Sequence, residues 1–151
     1  MSYLEEVFSI TVKVDMPIVV GQDDIVGRRQ LIPIISGELT GNDIHGIVLP
    51  GGVDSQIIRP NGICELSARY AVRLDDGNSF YIENNGIRTV PSEYIEIVKN
   101  GEFIDPSLYY FCTTPKFEVY GEELKWLTQS IFTCIATRLT DSVILKFYSI
   151  K

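Results

Sequence analysis

Between residues 54 and 88 the chain brings together two carboxylates, two guanidinium groups and two amides: Asp54, Gln56, Glu65, Arg69, Asn84 and Arg88. Carboxylates beside arginines can do proton chemistry: Glu65 or Asp54 moves a proton while Arg69 or Arg88 stabilises developing oxyanion charge. That describes a cofactor-independent isomerase, cyclase or lyase. An arginine partner weakens a carboxylate as a base, so one carboxyl would have to stay unpaired or desolvated. The same charges, paired and quiet, would equally suit a carrier that fixes the polar end of a largely apolar metabolite, or a structural module with no ligand at all.

Whether these residues meet depends on hairpin register. Asn61-Gly62 and Asp76-Gly77 favour two-residue type I′ turns. With those loops Asp54 lies opposite Arg69, Arg69 opposite Asn84 and Glu65 opposite Arg88. Side-chain alternation then gives one polar face of Asp54, Gln56, Glu65, Ser67, Arg69, Asn84 and Arg88, and a core face of Val53, Ile57, Leu66, Ala68, Tyr70, Val72 and Tyr81. The polar face can be a solvated meander with cross-strand pairs of about 0.2–1 kcal/mol each, or the wall of a binding cavity. A bulge at either glycine would slip one strand by a residue and send Asp54 and Arg69 to opposite faces.

Short runs of aromatic and β-branched residues between turn signals position this segment, and helical periodicity is nearly absent. Strands are predicted near residues 4–14, 29–39, 43–49, 53–60, 63–75, 78–85, 108–119, 128–139 and 142–150. One short helix is predicted in "PSEYIEIVKNG", with Ser92 as N-cap and Gly101 just past the end. No linker or repeat divides the chain, so residues 1–151 read as one all-β domain. "LIPII" and "SIFTCIATRL" carry apolar residues on both strand faces, which favours closure into a single antiparallel β-barrel over an open sandwich.

Composition narrows the function classes. With 20 acidic against 13 basic residues and a net charge of −7, neither nucleic acid nor an anionic membrane is an expected partner. Cys64, Cys112 and Cys134 form neither a disulfide framework nor a zinc site and read as reduced thiols. The N-terminal stretch lacks the pattern of a signal peptide and there is no membrane-length apolar run, so a cytoplasmic location is expected. A single histidine, His45, precludes a two-histidine metal site and suits a hydrogen-bonded structural role. Phosphate-cradling and zinc-hydrolase motifs are absent, and no cofactor or metal is expected. A small-molecule ligand is the expected partner, with homo-oligomer contacts as a further use of the apolar strands. All six cations between Lys13 and Lys99 are arginines, including Arg28, Arg69 and Arg88, a preference that suits planar pairing in partial burial.

The chain resembles the domain of unknown function 3237 family, also called uncharacterised protein family 0311. The resemblance rests on "GRRQLIPIISGELTG" (27–41), "VLPGGVDSQIIRPNG" (48–62), "ELSARYAVRLDDG" (65–77), "NNGIR" (84–88), "DPSLYYFCTTPKFE" (105–118) and Trp126-Leu127. It implies a microbial β-barrel of the calycin or allene-oxide-cyclase-like type with no established activity. Its polar motif positions fall on Asp54, Gln56, Arg69, Asn84 and Arg88, with Tyr110, Phe111, Thr113 and Trp126 as secondary ligand-binding candidates that also suit a structural role. The chain departs from the family pattern at Ser55, often tryptophan, at Cys112, usually arginine, and at Thr128, which replaces asparagine. Loss of that arginine would matter if it touches an anionic ligand in relatives.

Overall fold

A computed structural model describes residues 2–151. Ten antiparallel strands dominate it: β1 (Leu4–Val14), β2 (Ile18–Asp23), β3 (Gly27–Gly41), β4 (Ile44–Val48), β5 (Gly52–Ile58), β6 (Cys64–Leu74), β7 (Ser79–Thr89), β8 (Tyr110–Tyr120), β9 (Phe132–Arg138) and β10 (Ser142–Ile150). Strand β1 pairs with both β10 and β3, which closes the sheet into a barrel. The long β3 is bordered on one side by β1 and then β2, and on the other by β4 and then β5. Strands β4 and β5 therefore fill a single slot between β3 and β6, giving a closed eight-stranded ring with two extra strands.

The expected strands are present, and β2 is an addition. Every residue of β2 is exposed, so it has no buried face to produce an apolar alternation, and its Gly and Asp residues read as turn. The helix is shorter than expected. A 3₁₀ turn at Ser92–Tyr94 leads into α1 (Ile95–Lys99), and Pro91, not Ser92, occupies the capping position with no side-chain bond. At its other end the expected glycine does stop the helix. Gly101 adopts φ +77°, its N–H reaches Val98 O at 3.0 Å and that of Glu102 reaches Ile97 O at 3.1 Å, the paired closure that satisfies the last carbonyls.

The two ends of the barrel differ. One is filled by aromatic rings, including Phe8 against Phe147 at 4.9 Å and Phe117 against Phe80 and Phe132 at 5.4 and 5.3 Å, in the tilted and edge-on arrangements that ring quadrupoles favour. A 3₁₀ segment, Glu122–Thr128, covers this end and buries Leu124 and Leu127. The other end stays open below α1. Outward apolar residues such as Ile35 and Ile135 remain in solvent, so closure does not cover the second strand face. Among the described residues no helix is long and apolar enough to cross a membrane.

Candidate functional site

The hairpins place the site, and they differ from the expected ones. Gly62 N–H donates to Arg59 O at 2.8 Å and Arg59 N–H to Ile63 O at 2.9 Å; Gly77 and Leu74 repeat the pattern. Gly62 and Gly77 have φ of +88° and +92°. These are three-residue loops, a type I turn followed by a glycine bulge. Pro60 explains the first one. In a two-residue loop it would have to donate a hydrogen bond to the closing pair, which proline cannot do, whereas it suits the second position of a type I turn. Asn61 and Asp76 side chains accept from the N–H groups of Ile63 and Asn78 at 3.0 and 2.9 Å, holding each bulge.

Each bulge shifts its register by one residue, so Asp54 faces Ala68, and Ala68 faces Asn84. Strand β6 is turned over relative to expectation, and the two shifts cancel between β5 and β7. Asp54, Gln56, Asn84 and Arg88 therefore do share the inner face. Arg69 and Glu65 do not: Arg69 bonds Glu83 at 3.4 Å and Glu65 bonds Arg59 at 2.6 Å on the outer surface, and Ser67 shares that outer face. The expected Asp54–Arg69–Asn84 row is thus corrected. Glu65 is also a poor base, because the bond from Arg59 holds its carboxyl below the usual range. Leu66, Ala68, Tyr70 and Val72 are buried in the core as expected, while Tyr81 is exposed.

A cavity of about 530 Å³ occupies the open end, within the size range of small-molecule sites. Arg28, Asp54, Gln56, Arg88 and Arg138 supply its polar wall, and residues such as Val14, Ile32, Phe111 and Val143 its apolar one. Gln30 Nε2 donates to Gln56 Oε1, and Gln56 Nε2 to Asp54 Oδ2, both at 2.8 Å. Asp54 Oδ1 is shielded and has no protein partner. Burial pushes the Asp54 carboxyl up to about 6, against the Gln56 bond and the Arg88 charge, which both pull it down.

Arg88 is 6% exposed and lies over the Phe111 ring at 5.6 Å. Among the described residues it has no carboxylate within 4.0 Å and no hydrogen bond to a protein acceptor. Among the same residues Arg28 has no ion pair either, and its Nε is buried without a partner. Arg138 is anchored at the rim, donating to Glu102 O at 2.8 Å and Val98 O at 3.3 Å, which ties the end of α1 to β9. Burial, and then the Arg88 charge, hold it below the ordinary arginine value. Gly86 stands on the inner face between Asn84 and Arg88, where an added Cβ would lie 2.3 Å from Cys112 O; only glycine permits β7 and β8 to approach this closely.

The remaining candidates disperse. Thr113 and Asn84 are buried one layer below the cavity, with their polar side-chain atoms beside the Cys134 thiol. Tyr110 is exposed on the outside, and Trp126 belongs to the aromatic plug. Cys112 has its side chain outside the lumen, since Phe111 and Thr113 on either side point inward, so the family arginine missing there takes no cavity contact away. Ser55 accepts from Arg29 at 3.2 Å, and Thr128 donates to Lys125 O at 2.8 Å. His45 bonds Asp75 at 2.9 Å on an exposed surface, away from the cavity. The three cysteines are free thiols. Arg28, Gln30 and Arg138 are site residues that the hairpin pattern missed. The arginine-only stretch marked Arg28, but a long connection separates β3 from β5 and hides their register.

Comparison with known proteins agrees with this architecture. A UPF0311 protein of Clostridium acetobutylicum is 68% identical over 151 residues, covering 100% of this chain and 95% of that one. One of Bradyrhizobium diazoefficiens is 43% identical over 144 residues, covering 95% and 93%. A crystal structure of a C. acetobutylicum protein of unknown function superposes with TM-score 0.94 at 65% identity over 100% of both chains. A β-barrel-like protein of Acinetobacter baumannii gives 0.86 at 30% identity, covering 100% and 97%. An enzyme of Penicillium herquei gives 0.75 at 16% identity over 99% and 95%, a likeness of fold alone. The family model described as protein of unknown function (DUF3237) matches residues 2–150, and the chain belongs to that family.

Proposed function

We propose that the open end of the barrel binds a small organic anion, its charged end held by Arg88 and Arg28 and its apolar body lying against Phe111, Ile32 and Val143. One observation carries this: Arg88 is a buried guanidinium that faces a cavity with no protein acceptor. Burying a charge without a partner costs several kcal/mol, a cost that an anionic ligand offsets. The local charge also opposes the overall one, because the chain as a whole carries −7 while the cavity is lined by four cations, Arg28, Arg88, Lys99 and Arg138, against three aspartates, Asp15, Asp54 and Asp141. A bidentate carboxylate matches a guanidinium better than it matches lysine.

The test is a thermal-shift comparison of benzoate, phenylacetate and phenylpyruvate with the neutral benzamide and phenylacetamide. At least one carboxylate should stabilise the protein, by roughly 2.7 kcal/mol at a hundredfold excess over its Kd, and its amide should not. Arg88→Met should remove the effect. Equal stabilisation by acid and amide, or none by any acid, would defeat the proposal. A catalytic version is favoured by the free Oδ1 of Asp54. The fungal barrel of the same fold is an enzyme, which speaks to what the fold can host and not to the reaction of this chain.

A further inference from the structure

Asp54 has none of the usual employment of a part-buried aspartate. Elsewhere in this chain aspartates shape turns: Asp23 accepts from the N–H groups of Ile25 and Val26, and Asp105 from that of Ser107. Among the described residues Asp54 bonds no backbone N–H and no cation. Its Oδ2 is held by Gln56, itself held by Gln30, so the carboxyl plane is fixed from one side, while Oδ1, shielded at the cavity wall, has no protein partner among the described residues. A carboxylate positioned by a second residue, facing a cavity it shares with an unpartnered guanidinium, is the arrangement of a general base beside an oxyanion site.

We infer that Asp54 transfers a proton at a carbon next to the carbonyl of an anionic oxo compound bound in the barrel, with Arg88 holding the oxygen on which charge develops. In the step, Oδ1 takes a proton from the carbon. The C–H electron pair becomes the C=C bond of an enolate, and the carbonyl π pair moves onto the oxygen facing Arg88. Asp54 then returns the proton to the same carbon or to a conjugated one. Return to the same carbon gives hydrogen exchange or epimerisation, and return to a conjugated carbon gives a double-bond shift, with no oxidant, reductant or co-reactant. Arg28, assisted by Arg138 at the rim, holds the substrate's permanent carboxylate. The substrate class is therefore an oxo acid with an apolar body. The inference rests on the anion-binding function proposed above.

Burial also places Asp54 near 6, ionised yet basic enough to accept a proton at neutral pH. The charge of Arg88 from β7 bears on it, Arg28 from β3 and Arg138 from β9 line the same cavity, and the titratable Cys64 and Tyr70 of β6 lie within reach of its own charge. Asp15, Lys99 and Asp141 line the rim. Burial raises Cys64 to about 11, and it raises Tyr70 as well, so both stay neutral in the relevant range.

The test follows exchange of the C3 hydrogens of phenylpyruvate, and of 2-oxo-4-phenylbutanoate, into deuterium oxide by proton NMR. The protein should accelerate exchange over buffer by about 10²-fold or more, with a rate that rises with pH and levels off above about 6. Asp54→Asn should lose the acceleration while both acids still raise its melting temperature. Stabilisation by the acids without acceleration, or acceleration retained by Asp54→Asn, overturns the inference and leaves anion binding intact. Absence of stabilisation in the wild type removes both.

Discussion

Replacing Asp54 by asparagine should stabilise the ligand-free protein at neutral pH, and the size of the gain follows from the site. The carboxyl moves from an ordinary value of 3.8 to about 6 on folding, chiefly through burial. For an acid whose folded value is raised, the folded state binds the proton more tightly, so the protein is most stable below 3.8 and loses stability as pH rises to about 6. Each pH unit in that window corresponds to about 1.4 kcal/mol, giving a cost of about 3 kcal/mol that is complete by pH 7. Asparagine keeps the shape and can still accept from Gln56, but carries no charge to desolvate. The stability difference between Asp54→Asn and wild type should therefore grow by about 2.4 kcal/mol between pH 4 and pH 8. In a chain of this size that is about 5–10 °C in melting temperature. Urea unfolding of both proteins across that range measures it, and the other carboxylates cancel in the difference. A difference that stays constant with pH, or grows in the opposite direction, would refute the claim that Asp54 is a desolvated carboxylate. The expected combination, a more stable protein that no longer exchanges substrate hydrogens, is what a strained functional group produces.

Other substitutions probe the surroundings. Arg88→Met should stabilise the ligand-free protein by about 1–3 kcal/mol in urea unfolding, since an apolar side chain of similar volume replaces a buried cation without a partner; a loss above about 1 kcal/mol would mark Arg88 as a structural strut on Phe111. Arg69→Ala and Glu65→Gln should each change stability by about 1 kcal/mol or less and leave carboxylate-induced stabilisation intact, because both residues lie on the outer face. Phe80→Ala should cost about 3–5 kcal/mol, because the ring is 1% exposed in the aromatic plug. It should nevertheless leave carboxylate affinity unchanged as measured by calorimetry at low temperature.

The alternation of apolar and polar residues is sufficient to read nine of the strands, because strands with one buried face advertise it; closure is expected from strands apolar on both faces, and the barrel does close, but Ile35 and Ile135 of those strands remain in solvent. Strand β2 has no such face and left no signal. The site was legible in part for an instructive reason. Taking Asn61-Gly62 and Asp76-Gly77 as two-residue turns misplaced β6 twice, but the errors cancelled across it, so Asp54, Gln56, Asn84 and Arg88 were grouped correctly while Glu65, Ser67 and Arg69 were not. Pro60 held the correction, since it has no N–H for the closing pair of a two-residue loop. Arg28 and Arg138 arrive through pairings that no short turn dictates, β3 with β5 and β8 with β9, and local sequence does not specify them. The unmatched charges of the cavity are likewise invisible in a sequence, because they depend on which arginines find carboxylates: Arg59 and Arg69 do, and among the described residues Arg28 and Arg88 do not.

If the arginine-lined end of the barrel is an organic-anion site, a crystal structure of the protein with whichever aromatic carboxylate stabilises it most will show the ligand there. The carboxylate should lie inside the lumen at about 2.7–2.9 Å from guanidinium nitrogens of Arg88 or Arg28, with the ring against Phe111. A carboxylate bound on the outer surface beside Arg59 or Arg69, with only water beside Arg88, would contradict it.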